Sequence, residues 1–119
     1  TAPELAVVRI DAPLTFASAR PIADRLAELS RERPELRHLV IDCSAINTAD
    51  YTGIESLGTL CQQLAEAGVD LHLAALRGPV QDILSRDACF RSLQGSGHVH
   101  TSVPHAVDTL GVSLDRRTI

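Results

Sequence analysis

Asp42 and Ser44, followed by Asp50, Tyr51, Thr52, Gly53 and Glu55, place carboxylates, hydroxyls and a glycine within residues 41–57. Two acids at this separation could in principle share general acid–base work. Their commoner use is to accept backbone N–H groups in a loop and to favour a helix N-terminus. A helix start also presents unpaired N–H groups, so a phosphate or carboxylate could dock there, or a phosphoryl group placed there could switch a partner off. A second candidate is His98 with His100, alternating on one strand face near His105, the spacing of a conceivable metal pair; such histidines are more often simply solvated. No nucleophile elbow, His-Glu-x-x-His, dinucleotide fingerprint or phosphate-binding loop occurs, and Gly95-Ser96-Gly97 lacks the Lys and Ser or Thr that such a loop requires. The reading is a protein without chemistry of its own: not an enzyme, with no cofactor and no metal.

The elements that must position the polar loop are legible around it. Leu39, Val40 and Ile41 form an apolar, partly β-branched run suited to a strand buried on both faces. Thr52 and Glu55 have the spacing of a capping box, which predicts a helix starting at Thr52 and makes that cap worth about 1 kcal/mol. Ile54, Leu57, Gly58, Cys61, Leu64 and Ala65 recur at helical spacing, and Gly68 is the expected residue just past the helix end. Val69 to Ala75 follows as a strand, with Val69, Leu71, Leu73 and Ala75 inward and Asp70 and His72 on a half-exposed face. This is a strand, helix, strand unit, hence a parallel pair.

Upstream, Leu5 to Ile10 reads as a strand and Leu14 to Phe16 as a short second one, reached through Asp11-Ala12-Pro13 in a hairpin-like turn. With an antiparallel pair at the start and a parallel pair later, the expected sheet is mixed. Ser18 is the expected cap of the next helix, with Pro21 in its first turn, an apolar face of Ala19, Ile22, Ala23, Leu26 and Leu29, and an end near Arg33 before Pro34. Gly78-Pro79 opens another helix, residues 86–97 read as the least regular region, and His98 to Thr101 as a last strand. A final helix is capped by Ser102 and closed at Gly111, leaving 112–119 as a polar tail.

Length and composition bound the rest. A chain of 119 residues is the size of one domain, and its apolar content of 45% with only two Phe and one Tyr requires a core of Leu, Val, Ile and Ala. The net charge is −4 and the basic residues are scattered arginines, so nucleic acid is not an expected partner. Three cysteines without paired spacing read as reduced core residues of a cytoplasmic setting. No apolar run reaches the roughly 18 residues of a membrane span. The sequence opens at Thr1, contains no methionine and shows no leader pattern, so the expectation is a single domain, core 5–112 with a 113–119 tail, excised from a longer protein.

Asp42-x-Ser44, then Asp50-x-Thr52-Gly53, then Leu57 resembles the loop of STAS domains, shared by sulfate permeases and anti-sigma factor antagonists. Arg9-Ile10-Asp11-Ala12-Pro13-Leu14-Thr15-Phe16-Ala17-Ser18-Ala19 resembles the opening of the permease branch, with Ser18 where those members often carry Asn. Residues 73–80 and the Ser102-Val103-x-x-Ala106-Val107 pattern extend the likeness to about residues 5–112. The resemblance implies an α/β STAS (anti-sigma factor antagonist-like) fold, a mixed four- to five-stranded sheet with helices mainly on one face. It also implies a cytoplasmic regulatory or protein-contact domain of a sulfate permease (SulP) family anion transporter, on the inner side of the cell membrane.

Its partners would be the transmembrane domain of the same transporter and a cytoplasmic protein, with room for a weakly held nucleotide or other anion at the Thr52 helix start. The interaction or switch loop is Asp42, Ser44, Asp50, Tyr51, Thr52, Gly53 and Glu55. The alternative is a free-standing anti-sigma factor antagonist that binds a kinase-type anti-sigma factor. A small nucleotide- or lipid-binding module is a third class. In the antagonists a serine directly after the loop Asp is phosphorylated; Tyr51 stands there in this chain, which favours the permease branch.

Overall fold

A computed structural model describes residues 4–110 and 114–118. The elements are β1 (Leu5–Arg9), α1 (Phe16–Glu32), β2 (His38–Asp42), α2 (Tyr51–Glu66), β3 (Asp70–Ala74), α3 (Gly78–Leu84), α4 (Ala88–Gly95), β4 (Val99–His100), α5 (Val103–Leu110) and β5 (Leu114–Thr118). The five strands lie in the order β4-β3-β2-β1-β5, and every pairing is parallel. The α/β class, the strand count and the predominance of helices on one face agree with expectation; the mixed sheet does not. Leu14 makes an isolated parallel bridge with Ala49 instead of an antiparallel hairpin with the first strand. The turn residues Asp11-Ala12-Pro13 reverse nothing; they carry the chain to Leu14, whose N–H donates to the Thr48 carbonyl at 2.9 Å.

Which face each helix covers follows from the strand order. From β1 through β4 the chain steps in one direction across the sheet, and right-handed crossovers then place α1 to α4 on the same face. The return from β4 to β5 runs the opposite way and puts α5 on the other face. Alternation within each strand matches this. Ala6, Val8, Leu39, Ile41, Leu71 and Leu73 face α1 to α4, while Leu5, Val7, Val40 and Ala74 meet Val103 and Ala106 of α5.

Helix limits show how local signals compete. The first helix is capped at Thr15, not Ser18: Ser18 is its third residue and its Oγ accepts the Thr15 N–H at 3.1 Å, while its hydroxyl also meets the Pro13 carbonyl. Pro21 consequently lies inside the helix rather than in its first turn. In α2 the buried stripe is Gly53, Ile54, Leu60 and Leu64, with Leu57 and Cys61 partly covered; Ala65 is exposed. The C-terminus behaves as expected. Gly68 sits at φ 81°, its N–H donates to Ala65 at 3.0 Å and the Val69 N–H to Leu64 at 2.8 Å, so two of the last carbonyls of α2 are satisfied.

Three further segments differ from their sequence reading. Within 86–97, residues 88–95 form α4, because Asp87 caps it by accepting the Phe90 N–H at 3.0 Å and Phe90 and Leu93 are buried. Residues 114–118 of the expected tail pair in register with β1 as β5. On the second face of β3, Asp70 is exposed as expected but His72 and Ala74 are buried, covered by α5 and a group of histidines. Gly111, the expected helix stop, lies outside the described residues.

Gly53 packs directly against the backbone of the loop after β1. A Cβ added there would stand 2.2 Å from the Leu14 carbonyl oxygen and 2.6 Å from its carbon, both backbone atoms that cannot step aside alone. Gly53→Ala is expected to lower stability by about 1–3 kcal/mol through this overpacking, read as a fall in the denaturant midpoint at unchanged m-value. A midpoint equal to that of the parent would show that the Leu14 loop can withdraw freely.

Candidate functional site

The polar loop lies at the C-terminal end of the parallel sheet, where open α/β sheets generally bind their ligands and partners. Asp42 closes β2, and its Oδ1 accepts the Ser44 N–H at 3.0 Å, turning the chain out of the strand. The Cys43 N–H donates to the Ala74 carbonyl at 2.9 Å, extending the β2–β3 pairing by one step. Beyond β3, Ala75 adopts a left-handed conformation (φ 59°), and two residues later Arg77 Nη1 donates to the Ser44 carbonyl at 3.1 Å. Burial drives the Cys43 thiol up to about 12, so it stays protonated and is no nucleophile at neutral pH. Cys61 is likewise pushed up to about 12, chiefly by burial and then by neighbouring Cys89.

The cap of α2 is Asp50, not Thr52. Asp50 Oδ1 accepts the Gly53 N–H at 2.8 Å, the Asp50 carbonyl accepts from Ile54 at 3.0 Å, and Tyr51 is the first helical residue. Thr52 has the capping-box spacing with Glu55, and Asp50 is a residue type that also caps. Tertiary structure selects between them, because the Asp50 N–H donates to the Leu14 carbonyl at 3.0 Å and fixes that residue in the extended conformation a cap requires. Thr52 and Glu55 are left exposed on the outer side of the first turn, and Tyr51 is 78% exposed.

The loop residues therefore divide. Asp42, Ser44, Asp50 and Gly53 shape the backbone, while Tyr51, Thr52 and Glu55 face outward. Beside them opens a cleft of about 510 Å³, with Asp50, Tyr51 and Ile54 on one side and Ile83, Arg86 and Asp87 on the other. It was not legible in the sequence, because Asp87 and Arg86 belonged to a stretch without periodicity. Carboxylates already occupy both helix starts at this cleft, Asp50 on α2 and Asp87 on α4. A small anion would have to compete with them, which weakens the expectation of a nucleotide or other anion at this helix start.

The second candidate also looks different in three dimensions. His98 and His100 do share a neighbourhood with His105, but the ring that joins them is His72, with His38 beyond it. The sequence reading missed His38 and His72 because they lie on other strands, and only the β2–β3–β4 register brings them together. Among the described residues no three His, Cys, Asp or Glu side chains are arranged to hold one metal ion.

Comparison with known proteins agrees with this geometry. The sequence profile described as "STAS domain" matches residues 1–106. Over 118 residues, covering 92% of this chain and 18% of the relative, it is 26% identical to the high affinity sulfate transporter 2 of Stylosanthes hamata. A probable sulfate transporter of Mycobacterium tuberculosis is 27% identical over 106 residues, 88% of this chain and 19% of that protein. Among solved structures, the murine Slc26a9 anion transporter in the inward-facing state superimposes with a TM-score of 0.81 at 22% identity, over 92% of this chain and 18% of that one. The STAS domain of a SulP transporter from Vibrio cholerae gives 0.73 at 22% identity, over 92% and 84%. This chain belongs to the STAS domain family. It spans less than a fifth of the length of the first two transporters named, and no helix among its described residues is long and apolar enough to cross a membrane.

The reassigned cap generates a paired expectation. Asp50→Ala should cost about 1 kcal/mol of stability, whereas Thr52→Ala, at an exposed first-turn position, should stay within about 0.5 kcal/mol. Urea melts of the two variants side by side check this; a larger loss for Thr52→Ala would return the cap to Thr52.

Proposed function

We propose that this domain is the cytoplasmic regulatory and protein-contact module of a SulP family anion transporter, acting on transport through contacts and carrying no catalysis. The observation that carries this reading is the family match joined to coverage: the STAS profile matches residues 1–106, and the chain covers 84% of the Vibrio cholerae STAS domain but under a fifth of each transporter named above. The relatives named above are transporters and transporter STAS domains, not enzymes. On this reading the first partner is the transmembrane part of the same protein, on the inner side of the membrane.

The contact surface is the exposed start of α2 with the adjoining cleft. Tyr51 offers a large amphipathic side chain held on a rigid first turn, a combination that favours protein contact, while Thr52 and Glu55 extend the surface along the helix. Asp42, Ser44, Asp50 and Gly53 serve that surface by fixing its backbone. Because carboxylates fill both helix starts, the cleft suits a neutral or basic protein surface better than a free nucleotide. The anti-sigma antagonist reading asks for a phosphorylatable serine after Asp50, and Tyr51 occupies that place.

In the full-length transporter, Tyr51→Ala combined with Glu55→Ala should change the rate of anion uptake several-fold and leave the order of anion preference as it was. Circular dichroism of the variant domain first establishes that it is folded. A changed anion preference would place part of the substrate path in this domain and overturn the division of labour; an unchanged rate would remove this surface as the point of contact.

A further inference from the structure

The chain has five histidines, and all of them meet on the second face of the sheet. His38 comes from β2, His72 from β3, His98 and His100 from the edge strand β4 and its approach, and His105 from α5. His72 is central. Its ring lies 4.3 Å from that of His98 and 5.3 Å from that of His100, its Nδ1 stands 3.2 Å from His100 Nε2, and its Nε2 stands 3.4 Å from His38 Nδ1. His72 is 3% exposed and His100 5%, and the buried Nδ1 of His98 has no hydrogen-bond partner.

This arrangement limits how many protons the cluster can hold. Each nitrogen–nitrogen contact needs one donor and one acceptor. The row His38–His72–His100 therefore accepts a single added proton, on any one ring, by choosing tautomers. A second proton sets N–H against N–H whichever ring takes it. Unfolded, the same three rings would each take a proton independently.

Among the described residues, one carboxylate borders the cluster: Asp70, the register partner of His38 on the same sheet face, stands at its solvent rim, away from the buried His72–His100 pair. The carboxylates on the surrounding elements are Asp42 of β2, Asp70 of β3 and Asp108 of α5. Asp42 accepts the Ser44 N–H, and Asp70 and Asp108 are exposed. Among the described residues, the charges that act on His72 and His100 are those of neighbouring imidazoles. A metal is the less fitting reading, because the two nitrogens of His72 address two different rings and no three ligating side chains surround one point among the described residues.

We propose that the five-histidine cluster is an acid-sensitive latch: neutral, it holds β4 and α5 against the second face of the sheet, and protonation releases that segment while the remainder stays folded. That segment is lightly held. β4 is two residues long at the sheet edge, and α5 covers only a small apolar group of Leu5, Val7, Val40 and Ala74. The larger core beneath α1 to α4 contains none of the histidines.

Burial, then the neighbouring imidazoles, bring His72 down to about 3 and also lower His100. A group whose folded value is lowered in this way is neutral in the folded state and binds its proton more readily once released. The stabilisation is therefore complete above the ordinary histidine value of about 6.5 and fades as pH falls from there towards the folded values.

Amide hydrogen exchange of the 119-residue chain between pH 7.5 and 5, corrected for intrinsic rates and run with and without a chelator, tests the latch. Protection at residues 99–110 should fall by up to about tenfold per pH unit for each proton taken up, with α2 unchanged. His72→Phe and His100→Asn should flatten that dependence. Should either variant fail to fold, NMR of the parent decides instead: His72 and His100 staying neutral in the folded form while protection at residues 99–110 falls with pH supports the latch, and either ring taking its proton with that protection unchanged overturns it. Loss of protection in α2 at the same pH would show global unfolding and overturn it. So would a pH dependence present without chelator and absent with it, which would assign the cluster to a bound metal.

Discussion

The Leu14 carbonyl oxygen is the point through which the two halves of this domain are registered. It accepts the Asp50 N–H, and the missing side chain of Gly53 allows the first turn of α2 to close over it. One acceptor thus joins the loop after β1 to the loop after β2 and fixes Asp50 in a capping conformation. That cap sets the first residue of α2, which in turn sets which side chains of the first turn point outward. The buried stripe Gly53, Ile54, Leu60 and Leu64 then sets the rotation of the helix, which leaves Tyr51 and Glu55 exposed.

A sheet with all pairings parallel must bury both faces, and here it does so unequally. Four helices form the main core on one side. A single short helix serves the other, and it reaches only part of the surface that the strands present. The uncovered end is filled by imidazoles, which are apolar enough to be packed and polar enough to need partners. The histidine cluster is thus a consequence of topology: one return crossover from β4 to β5 supplies one helix, and the edge of the sheet is closed by side chains instead.

The two polar features of the domain lie on different parts of the molecule and have different physical character. At the loop, carboxylates are spent on backbone N–H groups, leaving an exposed aromatic and a cleft, the equipment of a contact surface. At the second sheet face, ring nitrogens answer one another without a carboxylate, the equipment of a pH-dependent contact. Neither brings a nucleophile and a base together. A thiol is buried near the loop, but burial keeps it protonated.

The sequence by itself determined what local spacing can encode. Apolar runs at 5–10 and 39–41 announce buried strands, the stripe Ala19, Ile22, Leu26 and Leu29 announces α1, Gly68 announces the end of α2, and the Asp42 to Leu57 pattern points to the STAS family. Tertiary structure decided everything that needed two distant segments at once. Local spacing favoured Thr52 as the cap of α2, and the Leu14 carbonyl, by holding the Asp50 N–H, moved it to Asp50. Leu14 to Phe16 resembles a hairpin strand until its partner proves to be Ala49. Residues 114–118 look like a polar tail because an edge strand's identity lies in the neighbour it pairs with, not in its own composition. His38 and His72 carry no local signal either, since a ring buried on a sheet and a ring in water have the same sequence, and register alone brought them within 3.4 Å of each other.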